Sequence, residues 1–351
     1  MRSENARGAL LGLAMGDALG LPAEYHRHAR AGWGRGVLWE KNIDLDRQRI
    51  SRPLLPFVPG HTELNPLSGT DDTETAATAA LILLEAGTHD LHALFQEWRT
   101  HYVATEDVWC GIAERGAVLQ ALEGRVPPET GTDNPVYWDD GAVPAAVSVG
   151  LFHSGDTENA TKVATDYARI THDRDGVWAA GAMAHAIAAL SAEEHLTVAL
   201  AEAERTIPDD SWLHRGFERA AAIAPGHAKG AFAMVPSLID AFGRPDYSHG
   251  GVAPETLPLA FAITRLVEGD LVSGLQTAAL FPRQSDSLPA MVGALCGAAG
   301  GENAVPETWR DHVDLVEGVL LPRVAGHRLT ELADRLTRPR AATEHPDAST
   351  R

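Results

Sequence analysis

Apolar residues recur along this chain at helical spacing. Residues 4–20 form one such segment, and within it Gly8, Gly12, Gly16 and Gly20 fall on every fourth position. That spacing lines one helix face with the smallest residue and lets another backbone come close. Further helices are predicted over 73–87, 91–104, 108–123, 156–170, 176–191, 193–205, 213–224, 228–242, 256–268, 270–280, 287–300 and 307–319. Most are rich in Ala, Leu and Glu, which lose little on entering a helix. Alternating runs of Val and Ile, the strand signature, are scarce. The expected fold is all-α, in a single compact multi-helix domain.

Pro and Gly mark the connections. The stretch 30–69 is long and irregular, with Pro53, Pro56, Pro59 and Pro66. A loop of that length within a domain is often functional. Other loops are expected near 125–141, 206–212 and 243–255. No internal repeat and no linker divides the chain, so residues 1–337 are read as one domain. Residues 338–351 are polar and patternless, and read as a disordered tail.

Composition narrows the function classes. The 351 residues hold 29 Lys plus Arg against 48 Asp plus Glu, a net charge of −19. So acidic a chain repels phosphate at long range, which argues against nucleic acid and membrane surfaces as partners. A small phosphorylated ligand held by local donors stays open. Cys110 and Cys296 have no CxxC partner, so neither a zinc site nor a disulfide framework is indicated. Two lone thiols suit a reducing cytoplasm. The first 25 residues resemble a leader, but Glu4 weakens the basic region and Asp17 interrupts the apolar run, so a core helix is expected. No apolar run reaches the roughly 18 residues of a membrane span.

Two oxygen-rich turns carry the candidate chemistry. The first, Thr70-Asp71-Asp72-Thr73, opens an Ala-rich helix. Its plainer reading is helix capping, because Asp and Thr accept from free N–H groups and complement the helix dipole. One Asp suffices for that. Adjacent carboxylates between two hydroxyls also gather hard oxygens suited to Mg²⁺ or Mn²⁺, and their mutual repulsion is relieved by a cation. The second, Gln284-Ser285-Asp286-Ser287, leads into another helix of small residues. There Gly293 and Gly297 are four apart, and the glycine-faced N-terminal helix is the expected partner. Two such helix N-termini could converge on a cation pair.

These segments resemble the ADP-ribosylglycohydrolase family, including its dinitrogenase reductase-activating members. GALLGLAMGDALGLPAE is similar to its opening helix, and SGTDDTETA to its first metal motif. NPVYWDDGAVPAAVSVGLF and YARITHDRDGVWAAGAMAHAIAAL are similar to its middle segments. ETLPLAFAI, then FPRQSDSLPAMVGALCGAAGG, resembles its closing metal motif. The five occur in the family's order. The resemblance implies an all-α fold with two Mg²⁺ or Mn²⁺ ions in a cleft and hydrolysis of an N-glycosidic bond at ribose C1″. By motif, Thr70, Asp71, Asp72, Asp286 and Ser287 would be metal ligands, with Asp286 the bridge. Glu24 would be the general base, placing Glu24 and Asp286 at the reacting centre. His172, Asp139, Asp140 and Gly141 would border the substrate. The implied partner is a small molecule or an ADP-ribosylated target, and the protein a monomer or weak homo-oligomer. Trp109 and Tyr137 could stack on a base, or lie in the core.

The sequence departs from the pattern in two places. Gln284 stands where the closing motif usually has Asp, so a carboxylate is lost and one ion is expected to bind weakly or not at all. Ala145 stands where relatives often carry Arg, which removes a candidate phosphate contact. Both departures keep two other functions open: a nucleosidase or biosynthetic N-glycosidase, and a weakened enzyme that binds ADP-ribose-like ligands without turnover.

Overall fold

A computed structural model describes residues 2–28, 69–223, 230–242, 251–281 and 287–338, with side chains of the first segment described through residue 19. Among the described residues there are sixteen α-helices and no strand. In chain order they are α1 (Arg2–His28), α2 (Asp71–Ala86), α3 (Leu91–Tyr102), α4 (Ile112–Leu122), α5 (Glu129–Thr132), α6 (Ala142–Phe152), α7 (Thr157–Ala168) and α8 (Arg174–Ser191). There follow α9 (Leu196–Glu204), α10 (Trp212–Ile223), α11 (Ala231–Phe242), α12 (Ala253–Leu266), α13 (Leu271–Ala278), α14 (Ser287–Gly300), α15 (Glu307–Val313) and α16 (Leu329–Leu336). The expected all-α class is what the chain adopts.

Local chemistry sets many of the boundaries. Asp90, Asp156 and Asp270 each turn a carboxylate onto a free N–H in the first turn of α3, α7 and α13, at 3.0, 3.2 and 2.8 Å. Helix α2 stops at Gly87, whose left-handed φ of 62° lets its N–H reach back to Leu83 O. The helix expected to run to 319 stops instead at Val313. Asp314 beyond it accepts from Thr330 N at 2.9 Å, and Leu315 pairs with Arg328.

The core is built on small residues. Helices α8 and α14 bury Ala and Gly along most of their length, and α1 does so over residues 6–18, so their backbones approach closely. The predicted pairing of the two glycine-bearing helices is present: α1 packs more extensively on α14 than on any other element. Around this centre, α8 lies against α6, α7 and α9, and α10 against α12 through an edge-on contact of Phe217 and Phe261 at 5.2 Å.

Three helices lie where none was expected, the shortest being the single turn α5. Helix α6 is apolar on every side, with β-branched residues and Pro144 in its first turn, so it shows no period. Pro144 costs nothing there because a first-turn N–H has no partner within the helix. Helix α16 does show a period, with Leu329, Leu332, Ala333 and Leu336 all buried. The expected loop 30–69 and the tail fall outside the described residues, apart from their edges at 69 and 338.

Candidate functional site

The C-terminal part of the α1–α14 contact puts two distant motifs side by side. Gly16 faces Pro289, and a Cβ at Gly16 would sit closer than 3.0 Å to Pro289 O and Ala290 N. One residue on, Asp17 faces the start of α2. Its Oδ2 accepts from Thr70 N at 2.6 Å, Thr73 N at 2.9 Å and Thr73 Oγ1 at 2.5 Å. Its Oδ1 accepts the Thr70 hydroxyl in a short bond. Asp17 therefore caps α2 from another helix, while Thr70, the residue in the capping position, makes no side-chain cap of its own. Burial pushes the Asp17 carboxyl up, and the four donors pull against that shift.

Helix α2 is held from a second direction. The Glu74 carboxylate accepts from three consecutive backbone N–H groups, Val319, Leu320 and Leu321, at 2.7, 2.8 and 2.6 Å. Burial pushes Glu74 up, and these donors oppose it. Between the two anchors, Asp72 is buried and Asp71 half-buried. The Thr70 hydroxyl also lies 3.2 Å from Asp71 Oδ1.

A second polar group surrounds the start of α6. His172 Nε2 lies 2.7 Å from Asp139 Oδ1, and Nδ1 lies 2.7 Å from Thr171 Oγ1. Asp139 Oδ1 also accepts from Gly141 N at 2.9 Å. Burial pulls the His172 imidazole down, but the bond to Asp139 and the charges of Asp139, Glu114 and Asp140 outweigh it, so its pKa is raised. The neighbouring carboxylate turns elsewhere: Asp140 Oδ1 lies 3.4 Å from Ser287 Oγ, at the first residue of α14. Gly251 makes room for it, since a Cβ there would collide with Asp140 Oδ1.

The sequence-predicted residues are thus distributed unevenly. Thr70, Asp71 and Asp72 lie together, fixed to the same turn of α1 that meets Pro289 near the start of α14. Ser287 contacts Asp140, joining the second motif to the Asp139–Gly141 turn. His172 has no exposed surface, so what it offers directly is a grip on Asp139 rather than a wall for a ligand. Ala145 is buried within α6. Tyr137 is half-buried, with the Arg174 guanidinium 5.6 Å over its ring, and Trp109 donates its backbone N–H to Leu320 O. The side chain of Glu24 and residues Gln284 and Asp286 lie outside the described residues.

Three participants were not singled out from the sequence. Asp17 was noted only as an interruption of an apolar run, because its partners are more than fifty positions away. Glu74 falls inside the first motif and carries no role at the level of sequence. Glu114 is buried at the start of α4, its oxygens filling the spaces that side chains at Gly111 and Gly141 would need. Burial pushes Glu114 up, partly offset by His172.

As a donor set, Thr70, Asp71, Asp72, Asp140 and Ser287 are all hard oxygens, the class that Mg²⁺ and Mn²⁺ take. Among the described residues, no group of three or more His, Cys, Asp or Glu is placed to hold an ion by itself. The donors fit in kind, with other expected ligands outside the described residues. Both cysteines are free, and burial pushes each thiol up to about 12. No helix among the described residues is long and apolar enough to cross a membrane.

The family model for ADP-ribosylglycohydrolase matches residues 1–346, so the chain belongs to the ADP-ribosylglycohydrolase family. An uncharacterized protein of Archaeoglobus fulgidus is 26% identical over 313 residues, which cover 87% of this chain and 90% of that protein. A solved structure described as an ADP-ribosylglycohydrolase-related protein complex matches with a TM-score of 0.58 at 22% identity, over 96% of this chain and 98% of its own. That last likeness speaks for the fold.

Proposed function

We propose that the protein is a divalent-metal-dependent hydrolase of an N-glycosidic bond to ribose, acting on a small molecule or an ADP-ribosylated target. The observation that supports this best is the shared turn of α1. Asp17 holds the Thr70–Asp72 turn while its neighbour Gly16 meets Pro289, two residues beyond Ser287, so successive residues of α1 touch the first motif and the start of the helix that follows the second. A structural helical bundle needs no such pairing.

In this reading Thr70, Asp71, Asp72, Asp286 and Ser287 hold Mg²⁺ or Mn²⁺, as two ions or, with Gln284 in place of a carboxylate, one. Bound there, the metal supplies a water of lowered pKa and a grip on the ribose diol. Glu24 takes the proton of the attacking water. Asp140 and Gly141 border the sugar. Asp139 and His172 fix that border, and Asp139 does so through the Gly141 N–H. The carboxylates also oppose the positive charge that grows on the sugar as the bond breaks. Two free thiols agree with a cytoplasmic protein.

Gln284 favours a second reading, in which the substrate lacks the diphosphate or turnover is lost. Assays of an ADP-ribosylated peptide and a nucleoside panel, with Mg²⁺, Mn²⁺ or chelator, separate these. Chelation and Asp71→Asn should each reduce hydrolysis by about 100-fold or more. Chelator-insensitive hydrolysis, or full activity in Asp71→Asn, overturns the proposal. A large gain in Gln284→Asp would mark a weakened enzyme, and a loss would mark a residue suited to another substrate.

A further inference from the structure

Asp17 does more than close a helix end. Three of its four bonds go to one oxygen, Oδ2, and these hold the α2 backbone and Thr73. The fourth is separate: Oδ1 accepts the proton of the Thr70 hydroxyl. A hydroxyl has one proton and two lone pairs. A second acceptor, Asp71 Oδ1, lies 3.2 Å from the same hydroxyl, but the much shorter bond draws the proton into α1 and leaves the lone pairs to face outward. We infer that Asp17 is a positioning residue for the cation, acting through Thr70 by fixing which way that hydroxyl points. The inference rests on the metal-dependent reading above and assigns to a buried residue control over ion affinity.

Asp17→Asn tests the idea at single-atom level. The carbonyl oxygen of the amide can keep the three bonds of Oδ2. Its NH₂ then replaces Oδ1 and donates to Thr70 Oγ1 instead of accepting from it. The Thr70 proton is forced outward, toward the cation. Asp17→Ala leaves the hydroxyl free to rotate but removes all four bonds. Stability and affinity should therefore rank oppositely. Asp17→Ala should melt lower than Asp17→Asn, yet Asp17→Asn should bind metal more weakly. Residues that orient a ligand commonly control affinity by about 10–100-fold, so a loss of about 10-fold or more is expected for Asp17→Asn.

The experiment is a Mn²⁺ titration of the full-length protein, with free Mn²⁺ followed by electron paramagnetic resonance and thermal melts run without metal. Adding Thr70→Val to Asp17→Asn should give no further loss beyond Thr70→Val alone. Thr73→Val should lower the melt while leaving affinity within about 2-fold, because Thr73 only supports the helix end. Wild-type affinity in Asp17→Asn, an Asp17→Asn effect that persists when Thr70→Val is already present, or failure of Asp17→Asn to fold overturns the inference and spares the metal-dependent reading. A wild-type protein that binds no Mn²⁺ overturns both.

Discussion

At the scale of single residues, His172 is the group whose environment most constrains its charge. Both ring nitrogens are engaged, and the Asp139, Glu114 and Asp140 carboxylates raise its pKa above the ordinary 6.5 despite burial. The native state therefore holds this proton more tightly than the unfolded chain. The resulting stability is fully present below the unfolded value and is lost as pH rises through the folded one. Urea midpoints of the wild type should fall from about pH 6 upward, and His172→Gln should flatten that part of the profile. An unchanged slope in the variant would mean that the ring is neutral in the fold. Glu114, also raised by burial, acts in the same direction from a lower starting point, and the His172 substitution also removes the offset that the imidazole gives it. Little of this was legible in the sequence. Asp139, Asp140, Gly141 and His172 were grouped by family resemblance, but Glu114 and Asp17 were not, since nothing local distinguishes a buried acid from a solvated one.

At the scale of elements, the glycine spacing carried the clearest message. Gly8, Gly12 and Gly16 on α1 meet Gly297, Gly293 and Pro289 of α14 backbone to backbone. That contact followed from a four-residue repeat in two helices. By contrast, α6 was hidden because a helix buried on all sides has no polar face to give a period, whereas α16 had its period and was simply short. The α1–α14 contact gives a sharp expectation. In Gly12→Ala the new Cβ would lie closer than 3.0 Å to Gly293 O and C, and backbone cannot swing aside as a side chain can. The cost should sit in the upper part of the ~1–3 kcal/mol range for overpacking. Gly87→Ala meets nothing within 4 Å and suffers only from its left-handed φ, about 1 kcal/mol. Denaturant titrations compare the two, and equal losses would mean that the helices can separate without penalty.

At the scale of the whole molecule, the net charge of −19 and the proposed cation site bear on each other. An ion bound only by the native state stabilises it by mass action, about 2.7 kcal/mol at one hundred times its Kd. Differential scanning calorimetry should show a rise in Tm with Mn²⁺ that Asp72→Asn abolishes. Identical melts with and without the ion would leave the acidic turns as helix caps alone.

The pairing of α1 with α14 also governs when the protein can become itself. The glycine face of α1 is made long before its partner and meets it only after Gly293 has left the ribosome. Until then an apolar helix waits uncovered, and Asp17 and Ser287 have no common neighbourhood. Closing so long a loop is slow compared with pairing adjacent helices, and the waiting surface is open to wrong partners. A nascent chain of this design should lean on chaperones until α14 emerges, and the proposed metal affinity should appear only then.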